Sequence, residues 1–155
     1  IIGAKYDYQD LVFNPIVEDE LVLVGARAYQ KLANESLVAE QLRALPWVIR
    51  EKGSGTRRAM EQGLSSFNIK LNNLKITIVV QSTAALLSCV QAGLGVTVTS
   101  KIAAADLIKR NELVVLSVPG LNIQRKFYII YHCRRHLFPA VQKMIAVMSA
   151  TCLTS

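Results

Sequence analysis

The sequence has no apolar run as long as the roughly 18 to 20 residues that a membrane-spanning helix requires. Its first ten residues also lack the basic start and apolar stretch of a secretory signal peptide. The chain begins at Ile1 rather than at a methionine, which suggests a fragment of a longer protein. We therefore expect no membrane partner and a cytoplasmic location.

Cysteine is scarce as well. Cys89, Cys133 and Cys152 lie far apart, and an odd, sparse set argues against a disulfide framework and fits a reducing compartment. The segment His132–His136 holds both histidines, but the two arginines inside it disfavour a cation. No serine–histidine–acid set is visible either. We therefore predict no metal site, no cofactor and no catalytic residues.

Long charged tracts are also missing, although the net charge is +7, with 18 basic and 11 acidic residues. The arginines and lysines are scattered, singly or in isolated doublets, and aromatic residues make up only 6% of the chain. This pattern favours a diffuse positive surface over a nucleic-acid groove. The acidic run Glu18–Glu20 is interpreted as the solvated start of a strand.

The spacing of the apolar residues predicts strands and helices in alternation. The predicted strands cover 20–24, 46–50, 74–80, 95–99, 113–118 and 126–132. The predicted helices begin near Ser36, Thr56, Ser82 and Ser100, and a last helix carries the apolar stripe Leu137, Val141, Met144, Ile145 and Met148. This order predicts an α/β fold with a mainly parallel sheet, flanking helices and one antiparallel or crossover element.

Two predicted strand-to-helix turns share one chemistry, Gly53–Arg57 and Gln81–Thr83. Ligands of open α/β sheets bind beyond the carboxyl ends of the strands, and a helix start attracts anions through its N–H groups and its dipole. We expect an anionic or polar ligand at these residues: Ser54, Gly55, Thr56, Arg57, Ser82 and Thr83. The alternative is that the hydroxyls are ordinary helix caps, and the glycine spacing matches neither nucleotide fingerprint.

Five segments follow one another in a fixed order between Glu18 and Val96. They are Glu18–Val24 (EDELVLV), Leu45–Arg50 (LPWVIR), Gly53–Arg57 (GSGTR), Ser82–Leu87 (STAALL) and Val90–Val96 (VQAGLGV). In this order and spacing they resemble the C-terminal effector-binding domain of LysR-type transcriptional regulators of bacteria. The most specific segment is the last one, with a helix-end glycine followed by a strand.

The resemblance implies the fold of type 2 periplasmic binding proteins, with two α/β lobes and a ligand between them. Residues 1–24 would be a remnant of lobe one with a crossing strand, 25–101 the second lobe, and 102–155 the return crossing with the C-terminal part of lobe one. The family's winged helix-turn-helix and the first half of lobe one have no counterpart here, so we expect an incomplete first lobe.

The resemblance also implies a ligand-sensing domain that is not an enzyme. A small organic or inorganic anion would bind between the lobes and modulate a DNA-bound oligomer. DNA contact would come only through the missing N-terminal domain, and the full-length protein would self-associate as a dimer or tetramer. The alternative is a solute-binding protein of a transport system on the same fold, and an enzyme would need a convergent acid–base set that the sequence lacks.

Overall fold

A computed structural model describes residues 8–151 of the chain, so Cys152 lies outside the described part. The strands are β1 (Leu11–Ala26), β2 (Pro46–Arg50), β3 (Lys75–Val80), β4 (Thr97–Ser100), β5 (Leu113–Val115) and β6 (Ile123–His132). The α-helices are α1 (Gln30–Ala33), α2 (Ala39–Ala44), α3 (Gly55–Ser65), α4 (Thr83–Gln91), α5 (Lys101–Lys109) and α6 (Pro139–Thr151). Short 3₁₀ turns cover Arg27–Tyr29 and Leu71–Asn73.

Contacts divide the chain into two units. Glu20–Gln124 form the central unit, and the described residues up to Asp19 and from Arg125 onward form the terminal unit. Helix α5 and strand β5, which the resemblance placed in the returning segment, therefore belong to the central unit. The division at 24/25 and 101/102 stays a prediction about the lobes of a complete domain.

The strands pair in two ways. Strand β1 runs antiparallel to β4 and to β5, with Val22 opposite Thr99, and β6 also pairs with β1. Strands β2 and β3 run parallel, and an isolated parallel bridge joins Trp47 of β2 to Val96 just before β4. The α/β class with flanking helices is confirmed, and the antiparallel pairs all involve the long first strand.

The core of the central unit explains why the second half of β1 is continuously apolar over residues 21–24. Successive side chains of a strand point to opposite faces, so a strand covered on both faces needs apolar residues at every position. Leu21 and Leu23 of β1 pack in one buried cluster with Trp47 and Met60, so α3 covers that face. Val22 and Val24 pack in a second cluster, to which helix α4 contributes Leu86 and Val90.

The glycine motif after α4 has a packing reason. At Gly95 an added Cβ would lie 2.6 Å from the carbonyl oxygen of Pro46, closer than a side chain tolerates. The N–H group of Val96 donates a hydrogen bond of 2.8 Å to the same oxygen. Glycine is therefore needed where the chain passes against the start of β2 on its way into β4.

Two predictions about helices were wrong in detail. The helix expected to begin at a Ser36 cap begins after Val38 instead, because Gln41 Oε1 accepts a hydrogen bond of 2.9 Å from the Val38 N–H group. The predicted stripe of α6 is not uniformly packed in the terminal unit. Val141 and Ile145 are half-buried, whereas Met144 is 52% exposed.

The acidic run at 18–20 lies inside β1 rather than at a strand start, and only Glu18 and Glu20 are exposed as the sequence predicted. Asp19 is buried, and its carboxylate pairs with the Arg125 guanidinium at 2.7 Å. Glu18 pairs with Lys126 and Glu20 with Lys101, each at 2.7 Å. A buried carboxylate needs a charged partner to offset its loss of hydration, and Arg125 supplies it.

Candidate functional site

The first predicted turn leads directly into α3. Ser54 is the N-cap, and its hydroxyl oxygen accepts a hydrogen bond of 3.4 Å from the Arg57 N–H group. Ser54 and Thr56 are both buried, at 8% exposure each. Gly53 has a φ of +100°, a conformation that glycine adopts without a steric penalty, and a Cβ there would meet open space. The backbone conformation, rather than contact with neighbouring atoms, therefore favours glycine at position 53.

The second predicted turn leads into α4 in the same manner. Ser82 is the N-cap, and its hydroxyl oxygen accepts a hydrogen bond of 3.1 Å from the Ala85 N–H group. Unlike Ser54, Ser82 is exposed, while Thr83 is half-buried. Both serines thus act as the ordinary caps that the sequence analysis weighed as an alternative. Capping satisfies only some of the N–H groups at a helix start, and those of the first residues lack intrahelical partners.

The structure brings the two turns to one edge of the parallel pair. Arg50, the last residue of β2, lies opposite Val80, the last residue of β3. The Glu51 N–H group then donates a hydrogen bond of 3.0 Å to the Val80 carbonyl oxygen. Because parallel strands end at the same edge, α3 and α4 both begin beyond it. This arrangement is the one that the sequence analysis derived for the two turns.

Arg50 joins the two turns, and the sequence analysis gave it no role. Its Nη1 donates a hydrogen bond of 2.9 Å to Thr83 Oγ1, and its Nη2 donates one of 3.3 Å to the Gln81 carbonyl oxygen. Its own carbonyl oxygen accepts a hydrogen bond of 3.2 Å from Arg57 Nη1. The one available signal was an arginine that closes a buried strand immediately before a glycine-rich turn.

Arg57 was expected to add a fixed charge for a ligand. In the structure its guanidinium is committed to the protein: Nε donates to Glu61 Oε1 at 2.7 Å, one helical turn further along α3. Together with the bond to the Arg50 carbonyl, this contact leaves the Arg57 side chain only 19% exposed. Arg57 therefore stiffens the first turn, and its charge is balanced by Glu61.

Glu51 carries a carboxylate beside the same turns. Its two oxygens accept hydrogen bonds from Arg50, Nε to Oε2 at 2.8 Å and Nη2 to Oε1 at 2.9 Å. The hydrogen bond from Arg50 lowers the pKa of the Glu51 carboxyl below its usual value. The positive charges of Arg50 and Arg57 thus each face a glutamate of the chain itself.

Other chemistry is sparse in the part of the chain that the structure describes. No group of three or more histidine, cysteine, aspartate and glutamate side chains within residues 8–148 could hold a metal ion. Cys89 packs at the edge of the second apolar cluster, and Cys133 is exposed. No helix of the described residues combines the length and apolarity that crossing a membrane requires.

Comparison with known proteins identifies the family. The LysR substrate binding domain matches residues 1–153 of the chain. A curated relative, the uncharacterized HTH-type transcriptional regulator YeiE of Escherichia coli (strain K12), is 30% identical over 136 residues. That match covers 88% of the chain and 45% of YeiE, so the chain spans about half the length of this relative.

Solved structures share the fold. The regulatory domain of CcmR from Synechocystis PCC6803, in complex with 2-PG, superposes with a TM-score of 0.85 at 23% identity, covering 99% of the chain and 72% of that domain. The effector binding domain of QuiR, in complex with shikimate, superposes with a TM-score of 0.81 at 20% identity, covering 97% and 69%.

The match of the family model over nearly the whole sequence agrees with the order of segments from Glu18 to Val96. It also agrees with the two helix starts at one sheet edge and with the superposed regulatory domains. The family consists of domains of transcription regulators rather than of enzymes. The chain belongs to the LysR substrate-binding domain family.

Proposed function

We propose that the chain binds a small anionic effector at the starts of α3 and α4, and that this binding controls the DNA affinity of a longer regulator. The observation that carries the proposal is the meeting of two capped helix starts at the carboxyl edge of β2 and β3. Each helix start offers N–H donors and a positive dipole end, the usual elements of an anion site. The proposed binding residues are Ser54, Gly55, Thr56, Ser82 and Thr83, and Arg57 braces the first of the two turns.

The comparisons support a small molecule as the effector. The relatives' regulatory domains were solved with 2-PG and with shikimate, and shikimate is a carboxylate. An effector changes a regulator only when it binds two arrangements of the protein with different affinity. The proposal therefore includes a change of arrangement in the longer protein, which works in the cytoplasm as a dimer or tetramer and touches DNA through another domain. Family membership favours this role over transport.

The sharpest test removes one backbone donor and leaves the helix intact. Gly55 is the first residue of α3, and proline is well accepted at this position because the N–H group there has no intrahelical partner. Ser54 has φ −64° and ψ 129°, the extended conformation that proline favours in the residue before it. Gly55→Pro should therefore fold normally and lose the proposed donor.

The measurement is a thermal-shift titration with shikimate, 2-PG and other small organic acids. A ligand at 100 times its dissociation constant stabilises the folded state by about 2.7 kcal/mol, which raises the melting temperature by several degrees. We expect such a shift in the wild type and a shift at least about twofold smaller in Gly55→Pro.

Ala39→Pro is the matched control, because Ala39 is the first residue of α2 and its N-cap Val38 is also extended. This variant should respond to the acids as the wild type does. An equal response of Gly55→Pro and the wild type would exclude the α3 start from the site. The lack of any shift with every acid would count against the binding function itself.

A further inference from the structure

The guanidinium of Arg50 is held in one orientation by contacts on both of its sides. Towards the second turn, Nη1 and Nη2 donate to Thr83 Oγ1 and to the Gln81 carbonyl oxygen. On the opposite side, Nε and Nη2 donate to the two carboxylate oxygens of Glu51. The Arg50 side chain is only 16% exposed, so an arginine that is normally flexible is fixed here between the two turns.

The Arg50–Glu51 contact has the geometry with which arginine recognises carboxylates. Two parallel N–H···O bonds, at 2.8 and 2.9 Å, join the edge of the guanidinium to both carboxylate oxygens. The same edge would pair in the same way with the carboxylate or phosphate of a solute. Glu51 thus occupies the position that an acidic solute group would take.

The carboxylate that occupies this position is the more exposed partner. Glu51 has 34% of its side chain exposed, twice the fraction of Arg50. Its backbone is fixed by the hydrogen bond from its N–H group to Val80, so only the side chain needs to move for the edge of Arg50 to open. An acidic solute group that replaces Glu51 would itself pair with Arg50, so the exchange leaves no uncompensated charge in the partly buried site.

We propose that Arg50 is the anchor for the acidic group of the effector, and that Glu51 is an internal competitor which the effector displaces. This inference rests on the proposed function, since it names the cation that pairs with the anion at the same two turns. The displaced carboxylate moves into solvent. The ligand class is a solute with a planar carboxylate or a phosphate, the two groups that pair with arginine through two bonds.

Competition between Glu51 and the effector for Arg50 predicts a result that a general attraction between opposite charges does not. Glu51→Gln removes the competing charge and should tighten anion binding about twofold to fivefold, which corresponds to the modest free energy of an ion pair with one solvent-accessible partner. Glu61→Gln is the matched control, because it removes the same charge next to Arg57 in α3. It should tighten binding less than about 1.5-fold, since it leaves the edge of Arg50 occupied.

The test uses the 155-residue chain labelled with ¹⁵N, with inorganic phosphate as the probe in an NMR titration. The Nε–H signal of Arg50, assigned by its loss in Arg50→Lys, reports the anchor. The backbone amides of Gly55 and Thr83 report the two helix starts. We expect all three signals to move with one dissociation constant, tighter in Glu51→Gln, and Arg50→Lys to weaken binding at least about tenfold by losing the two-bond geometry.

The signals of Arg50 and of the two turns distinguish this inference from the proposed function. If the amides of the turns move while the Arg50 signal and the effect of Glu51→Gln are absent, Arg50 is not the anchor and the proposed function stands. If the Arg50 signal moves and the amides of both turns stay in place, the helix starts are not the site. Equal tightening by Glu51→Gln and Glu61→Gln would show a general charge effect and overturn the competition, and no movement of any signal would overturn both proposals.

Discussion

The starts of α3 and α4 use the same capping chemistry and are held in place differently. Ser54 is buried, and its turn is braced from within by Arg57, which bonds to Glu61 and to the Arg50 carbonyl. Ser82 is exposed, and its turn is held from outside by the side chain of Arg50 through Thr83 and Gln81. The start of α3 is therefore held mainly by residues of α3 itself, whereas the start of α4 depends on one residue of a neighbouring strand.

Among variants that should affect the starts of α3 and α4 differently, Arg50→Met should have the largest effect. Hydrogen bonds to a charged group are worth about 2 kcal/mol, so the second turn should loosen while the first stays closed. We expect amide hydrogen exchange at Ala85 and Leu86 to speed up about tenfold or more, with exchange at Arg57 and Arg58 changed less than about twofold.

Lys52→Met is the control for Arg50→Met, because Lys52 is an exposed cation in the first turn. It should leave exchange at both starts unchanged. Equal loosening of α3 and α4 in Arg50→Met would show that the two starts form one cooperative element, and the contrast between them would be lost.

The next effect compares the two caps directly. Replacing an N-cap serine by alanine costs about 0.5 to 2 kcal/mol. Ser54→Ala should lie at the upper end, because burial keeps water from replacing the lost acceptor, and Ser82→Ala at the lower end, because water reaches the exposed turn. The Ser54 bond is the longer one, 3.4 Å against 3.1 Å, so the comparison decides between burial and bond length. Urea unfolding of both variants measures their free energies of unfolding. A larger decrease in Ser82→Ala than in Ser54→Ala would show that bond length matters more than burial.

The smallest effect concerns the pH dependence of the Arg50–Glu51 pair. Because the folded-state pKa of Glu51 is lowered from the ordinary value of 4.5, its charge stabilises the folded chain above that pH. This stabilisation disappears as the pH falls through the lowered value. The wild type should therefore lose stability relative to Glu51→Gln below about pH 4.5 and keep a constant difference above it. Urea unfolding at a series of pH values checks this, and parallel profiles would contradict the pairing.

Local sequence signals predicted much of both turns that lead into α3 and α4. A serine before an apolar helical pattern identified the cap of α4, although the same signal failed at Ser36. The glycine-rich turn indicated where α3 begins, and the rule that ligands bind beyond the carboxyl ends of strands pointed to both turns. Strand β2 was predicted with its observed bounds, Pro46–Arg50, because Pro46 and the glycine turn delimit an apolar run. These features depend on residues close to one another in the sequence.

What the sequence did not predict depends on partners that lie far apart in the chain. Arg50 bonds to Thr83, 33 residues away, and no local pattern indicates which of several arginines makes such a contact. Burial of Asp19 depends on Arg125, 106 residues away, so a run of acids was interpreted as solvated. The antiparallel partners of β1 are likewise set by packing rather than by its own sequence.

The most direct test of an anion at the two helix starts is a crystal structure of the chain with selenate, located by the anomalous scattering of selenium. The account predicts a selenium peak that places selenate oxygens within hydrogen-bond distance of the backbone nitrogen of Gly55 or Thr83 and of the Arg50 guanidinium. Peaks found only at other arginines and lysines, with both helix starts vacant, would contradict it.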